Sequence, residues 1–271
     1  MSCVATSPAR ARNVLLSQET PLVLHPIARH YRSEVKSTAP HCAIGAGGIA
    51  YDQPASDREE LLEFQLTRNH LVSALDEIAR KDKHIAAALD QVGYPAERRT
   101  GEPSFENFLR IIAGQQLSVK AAATIFGRVQ TALDGDFRPA RLLAMNEEEL
   151  RSLGLSRQKI GYARGLARAV LEGSLVPSAL AELPDDAVVE QITRVKGFGR
   201  WSAEMVLLFS LGRPDVWPAD DLAIQAGLHR LKNMRARPDR RRTDAVARPW
   251  RPYRSAVALF VWHYYSNAPL A

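Results

Sequence analysis

The chain has little cysteine: two residues in 271, Cys3 and Cys42, and none after them. Two thiols so near one end make neither a disulfide framework nor a four-cysteine cluster site. Their scarcity fits a reducing, intracellular compartment. The seven histidines show no tight pairing with cysteines, so no zinc site is expected, and His25 and His30 read as surface residues. No apolar run approaches the ~18 residues that a membrane-spanning helix needs. A secretory signal is not expected either, since no clear apolar core precedes a small-residue cleavage site. Strand-like alternation is scarce after residue 57, and no internal repeat is visible.

What is present is charge of one sign. The formal net charge is +6 and the isoelectric point is near 9.5, a balance that favours a polyanionic partner, nucleic acid being the usual one. The excess is local. Residues 230–254 hold ten Lys and Arg against two acids, Asp239 and Asp244, so this stretch carries more than the surplus of the whole chain. Such a run is either a solvated loop or a surface that meets phosphates.

Residues 1–56 are basic, of mixed composition and without long-range periodicity. They read as a poorly ordered arm, an upstream extension or a presequence. From Asp57 the pattern turns helical, and 57–271 reads as the folded domain. Leu71, Leu75 and Ile78 share one helical face, as do Phe105, Phe108, Leu109 and Ile112. Ser118 and Ser156 are placed to cap helices, Asn146 with Glu149 resembles a capping box, and Asp185 follows Pro184 at a helix start. Helices are further expected from 200 to about 211, from 221 to about 231 and over 255–265. The expectation is an all-α fold of about nine helices in two packed lobes with a cleft between them.

Two features carry chemistry. The first is the turn Val195-Lys196-Gly197-Phe198-Gly199. Two glycines around an apolar residue let Phe198 tuck between helices while the backbone approaches another chain closely. Amides at the start of the next helix then face an anion, with Lys196 and Arg200 beside them. The turn's carbonyls can also hold a monovalent cation. The second feature is Asp220-Asp221, after Pro218 and before an apolar-periodic helix. One aspartate suffices as the N-cap, and Asp220 is the natural candidate. Asp221 is then free either to complement the helix dipole or to face a bound sugar, where an ionised carboxylate stabilises positive charge at C1′.

Three phrases, residues 111–122 (IIAGQQLSVKAA), 195–224 and 248–265, together resemble the helix-hairpin-helix DNA glycosylases with the Gly/Pro-rich loop and aspartate (HhH-GPD). The likeness spans about residues 60–265, and within the superfamily it looks most like the DNA-3-methyladenine glycosylase II branch. The resemblance implies Asp221 as the catalytic carboxylate. It implies Gly197, Phe198 and Gly199, with Lys196 and Arg200, as the DNA-binding hairpin. It implies Trp201 and Trp262 as aromatics of the base pocket, with Met205 where the bacterial inducible enzyme has a tyrosine. Gln115-Gln116-Leu117 match the segment that intercalates into the duplex. A leucine stands at the position of Gln116 in that enzyme, and here Leu117 follows it, so either can be the wedge. Lyase-type relatives carry a lysine where Trp201 stands, and an indole cannot form a Schiff base.

The expected activity is therefore hydrolytic release of alkylated bases such as 3-methyladenine and 7-methylguanine from double-stranded DNA, without lyase chemistry. The expected enzyme is a monomer needing no metal or organic cofactor, located in the cytoplasm with the nucleoid, or in a nucleus. Two alternatives stay open: a non-catalytic DNA-structure-binding protein, and a glycosylase of the same fold for deaminated or oxidised bases.

Overall fold

The structure is a computed structural model and describes residues 65–269. The basic extension expected over residues 1–56, with Cys3, Cys42, His25 and His30, lies outside the described residues. Among the described residues every regular element is helical, as expected for an all-α fold. In chain order these are α1 (Arg68–Lys81), α2 (Lys83–Val92), α3 (Phe105–Gly114), α4 (Val119–Ala132), α5 (Pro139–Ala144), α6 (Glu147–Ser152), α7 (Arg157–Leu171), α8 (Asp185–Thr193), α9 (Arg200–Phe209), α10 (Leu222–Leu231), α11 (Arg240–Ala247) and α12 (Arg254–Asn267). Short 3₁₀ turns cover Pro177–Glu182 and Arg248–Trp250.

Side-chain caps explain most of the helix starts. Ser118 accepts from Ala121 N and Ser156 from Lys159 N. Asn146 and Glu149 form the reciprocal box, with Asn146 Oδ1 accepting from Glu149 N at 2.9 Å and Glu149 Oε2 from Asn146 N at 2.6 Å. Each such cap is worth about 1 kcal/mol. Twelve α-helices stand where about nine were expected. Helix α2 was hidden because Asp82 ends α1 and immediately caps α2, accepting from His84 and Ile85 N. Helix α11 was hidden because its turns are arginine-rich and bury only Thr243 and Ala247. It starts on a side-chain cap from Asp239 to Arg242 N, so part of the cationic stretch is helix and not open loop.

The helices pack as two groups. In one, α3 packs on α4, α7 and α9, α7 on α5 and α6, and α9 on α8; in the other, α12 packs on α10, α1 and α2. A continuous apolar core joins them, with Phe108, Ile112, Val206, Leu208, Val257 and Phe260 fully buried or nearly so. The crossing from α9 to α10 stitches the groups together. Ser255, at the start of α12, accepts from Val216 N at 2.8 Å and donates to Arg213 O at 2.6 Å. The segment that leads into Asp221 is thereby fixed against α12, on which α10 also packs.

Candidate active site

The crossing delivers Asp221 to the seam between the groups. It is half-buried and is itself the N-cap of α10: Oδ1 accepts from Ala223 N and Ile224 N, each at 2.9 Å. This corrects the expectation that Asp220 caps the helix. Asp220 lies one residue outside, exposed, and pairs with Arg240 at 2.9 Å. The cap and the chemically interesting carboxylate are one residue: Asp221 has the extended backbone (φ −70, ψ 123) of an N-cap and turns its side chain onto the first-turn amides.

Two indoles complete the shell. Trp201 Nε1 donates to Asp221 Oδ2 at 2.9 Å, and Trp262 Nε1 donates to Oδ1 at 3.0 Å. Trp201 comes from the first turn of α9 and Trp262 from α12, so three elements converge on one carboxylate. Oδ1 is saturated by two amides and one indole. Oδ2 has one donor and keeps a lone pair, which makes it the oxygen available to a bound molecule. Four N–H donors thus converge on this one carboxylate at the start of α10. The tryptophans were expected as pocket walls, but their donor role was not read from the sequence, where nothing marks which way an indole N–H points.

Met205 sits one turn after Trp201 on α9 and is buried, 6% exposed. At i and i+4 the two lie on one helix face. Phe209 follows on the same helix and stacks on Trp262 with ring centroids 5.8 Å apart. Its ring in turn carries the Arg98 guanidinium 4.8 Å from the centroid. Neither Phe209 nor Arg98 was singled out beforehand.

The hairpin sits immediately before Trp201. Gly197 has φ +100, and a Cβ there would lie 2.3 Å from Tyr162 Cγ, so both the backbone and the neighbour demand glycine. Gly199 is different. Its φ is −101 and a Cβ would meet nothing within 4 Å. It is the N-cap of α9 and offers no side-chain hydrogen bond. Phe198 is buried, 5% exposed, edge-on to Phe108 at 5.5 Å, tucked between helices as expected. Lys196, Gly199 and Arg200 are exposed. The first-turn amides of α9 thus open outward with two cations alongside, a geometry suited to an anion.

The Gln115-Gln116-Leu117 turn joins α3 to α4 and is bound to the hairpin: Gln115 Nε2 donates to Gly197 O at 2.8 Å. Gln116 takes a left-handed φ of +57, uncommon for a residue with a Cβ. It and Leu117 are exposed, Leu117 to 41%. The structure therefore brings together Asp221, Trp201 and Trp262 as one shell, with Met205 on the Trp201 face of α9, and the hairpin and the 115–117 turn as a second, linked unit. Among the described residues no group of His, Cys, Asp or Glu is arranged to hold a metal ion, and no helix is long and apolar enough to cross a membrane.

Residues 109–252 match the family described as HhH-GPD superfamily base excision DNA repair protein. The chain belongs to this superfamily. It is 36% identical over 161 residues to DNA-3-methyladenine glycosylase 1 of Schizosaccharomyces pombe, covering 58% of this chain and 71% of that one. It is 30% identical over 171 residues to DNA-3-methyladenine glycosylase 2 of Escherichia coli, covering 59% of this chain and 57% of that protein. The solved structure of the S. pombe 3-methyladenine DNA glycosylase in complex with abasic DNA superposes with a TM-score of 0.67 and 31% identity over 73% of this chain and 98% of that one. As an HhH-GPD protein, this chain holds two of its three phrases, residues 111–122 and 195–224, wholly inside the matched range.

Proposed function

We propose that this protein is a monofunctional DNA glycosylase that removes alkylated purines, of the 3-methyladenine and 7-methylguanine type, by hydrolysing the N-glycosidic bond in base excision repair. The observation that carries the reading is the Asp221 carboxylate, held by two helix amides and two indole N–H groups, one of them from Trp201, which directly follows the anion-suited hairpin and its Arg200. The names of the relatives point to the same substrates.

Hairpin amides, Lys196 and Arg200 hold a backbone phosphate, and the wedge turn fills the gap left when the damaged nucleotide rotates out of the stack. Methylation at N3 of adenine or N7 of guanine makes the base a cation and a good leaving group. Trp201 and Trp262 favour it by stacking and cation–π attraction, of order 0.5–2 kcal/mol. As the glycosidic bond breaks, positive charge grows at C1′, and the ionised Asp221, through Oδ2, stabilises it. Water then adds to C1′, and the product is an abasic site. Trp201 stands where a lyase would need an amine, so no covalent sugar intermediate forms. This chemistry needs no metal or organic cofactor. The hairpin carbonyls remain suited to a structural monovalent cation: Gly197 O accepts from Gln115 and Val195 O from Phe198 N, and each keeps a second lone pair. The enzyme acts as a monomer on double-stranded DNA, in the nucleoid or nucleus.

The test is incubation with methylated duplex DNA, chromatography of released bases, and borohydride trapping in parallel. Free 3-methyladenine or 7-methylguanine without a trapped adduct supports the proposal. DNA binding with no released base returns the protein to a structure-binding role. A trapped adduct overturns the monofunctional assignment. Release confined to deaminated or oxidised bases in single-lesion duplexes overturns the alkylated substrate.

A further inference from the structure

Beside the Trp201–Met205 stripe of α9 runs a second one, Arg200 and Glu204, also i and i+4. Glu204 is a buried carboxyl, 5% exposed, in an otherwise apolar helix face. Its Oε1 accepts from Arg200 Nε at 3.0 Å, while its Oε2 is buried with no hydrogen-bond partner. Arg200 is half exposed, 51%, at the first position of α9, next to the hairpin amides. Across from this pair, Asp220 binds Arg240 at 2.9 Å, and Arg240 lies 3.9 Å from Asp244. A buried carboxylate oxygen with nothing to bond is costly, and such positions in native proteins need a reason.

We propose that Glu204 is a positioning residue for strand binding. It holds the Arg200 guanidinium by its Nε beside the hairpin, and it competes with a DNA phosphate for that cation, so that DNA binding and protonation of Glu204 go together. Pinning Nε leaves the two terminal nitrogens of Arg200 for other partners, and a phosphate can take both. When the phosphate arrives, a second anion shares the guanidinium, and the buried carboxylate loses much of its compensation. The cheapest relief is to bind a proton, which also gives the unpaired oxygen an O–H to donate. The protein is poised for this before DNA arrives. Burial is the main cause that pushes the Glu204 carboxyl up, to about 7. Arg200 opposes the rise, Asp220 adds to it and Arg240 opposes it. These groups, from α9 itself, the crossing segment and α11, are the charges that act on Glu204. The proton moves between solvent and Oε2, and no other bond changes.

The proposal rests on the hairpin side of the reading above and not on base release, so it is tested without chemistry. The full chain is titrated by fluorescence anisotropy with a duplex carrying a tetrahydrofuran abasic analogue, from pH 6 to pH 8 at fixed ionic strength. Wild type is expected to bind roughly 3- to 10-fold more tightly at pH 6 than at pH 8, the range set by one proton linked to binding. Glu204→Gln keeps an acceptor for Arg200 and removes the charge. It is expected to flatten the profile at the tight, low-pH affinity, and Arg200→Ala to flatten it at weak affinity. Histidine titration persists in Glu204→Gln, so an unchanged slope in that variant overturns the proposal. Should the variant not fold, calorimetry of wild type at pH 7 in two buffers of different ionisation enthalpy decides. Proton uptake on binding supports the link, and none overturns it. A flattened slope in a protein that releases no methylated base leaves this inference standing and the proposed reaction refuted.

Discussion

Trp201 Nε1 and Asp221 Oδ2 lie 2.9 Å apart, and this contact makes the indole and the carboxylate one rigid object. Trp201→Phe keeps an aromatic ring and deletes the donor. The lost hydrogen bond to a charged group is worth about 1.5–3 kcal/mol, so kcat for methylated-base release is expected to fall on the order of 10- to 100-fold. Binding of abasic-analogue DNA should change little. Trp262→Phe removes the donor to Oδ1, which keeps both backbone amides, and the loss is expected to be smaller. Single-turnover rates on methylated duplex check the order. A larger defect in Trp262→Phe would show that Oδ1, not Oδ2, does the work.

Asp221→Asn isolates the charge. Asparagine is as good an N-cap as aspartate, so its Oδ1 retains the α10 amides. Its amide nitrogen, however, faces the Trp201 N–H, donor against donor, at a cost of about 1–3 kcal/mol. The fold should survive with a lowered melting temperature, DNA binding should persist, and base release should fall at least ~100-fold, as when a preorganised electrostatic group is removed. Near-wild-type release rates would sink the catalytic assignment.

What could be read in advance follows what each feature depends on. Ser118, Ser156 and the Asn146–Glu149 box act within one turn of chain, so local spacing reveals them. The hairpin was legible because two glycines around Phe198 have few other uses. The cap at Asp221 was misassigned because adjacent aspartates are equivalent in composition. The choice is made by backbone dihedrals that the crossing segment and α12 impose through Ser255. The indole donors, the Phe209–Trp262 stack and the buried Glu204 were invisible for a related reason: each joins residues far apart in sequence or depends on which way a side chain turns. Helix α11 escaped because arginines with little apolar periodicity look the same in a loop and in a helix held by one cap.

The two hairpin glycines should separate under mutation. Gly197→Ala forces a Cβ to within 2.3 Å of the Tyr162 ring at φ +100, and at least ~2 kcal/mol of stability should be lost through strain and displaced packing. The Gln115 contact to Gly197 O is expected to loosen with it. Gly199→Ala meets nothing within 4 Å, so only the poorer N-cap of α9 should count against it, about 1 kcal/mol or less. Its added methyl instead stands where a phosphate must approach, and DNA affinity should fall. Equal stability losses in the two variants would refute this division.

The wedge turn makes a similar distinction. Gln116 holds φ +57, so Gln116→Gly relieves backbone strain of about 1 kcal/mol and should leave the turn in place or stabilise it. Leu117, 41% exposed, contributes little to the free protein, and Leu117→Ala should leave stability nearly unchanged. If Leu117 enters the stack, its truncation weakens binding to lesion-containing duplex several-fold and Gln116→Gly does not; the reverse pattern names Gln116. Affinity for the abasic analogue, compared with undamaged duplex, reads the outcome directly.

Acid sensitivity should trace to Asp82, far along the chain from the hairpin. Burial raises this carboxyl, but hydrogen bonds from Lys232 and Trp250, the Lys232 charge and the His84 amide outweigh it and hold the group below 3.8. Trp250 Nε1 donates to Oδ2 at 2.9 Å, Lys232 pairs with the same oxygen, and Oδ1 caps α2. The folded value is depressed, so the stabilisation is complete above the unfolded value and disappears as pH falls through the folded one. Asp82→Asn keeps the cap but leaves Lys232 without its counter-charge and Trp250 without an acceptor. It should lower stability by about 1–3 kcal/mol at pH 7. Because wild type loses its advantage only in acid, the gap between the two proteins' urea midpoints should hold from pH 7 to about 4.5 and narrow toward pH 3. A gap that widens on acidification would mean that the Asp82 carboxylate is destabilising where it sits, and that Lys232 and Trp250 are held by packing alone.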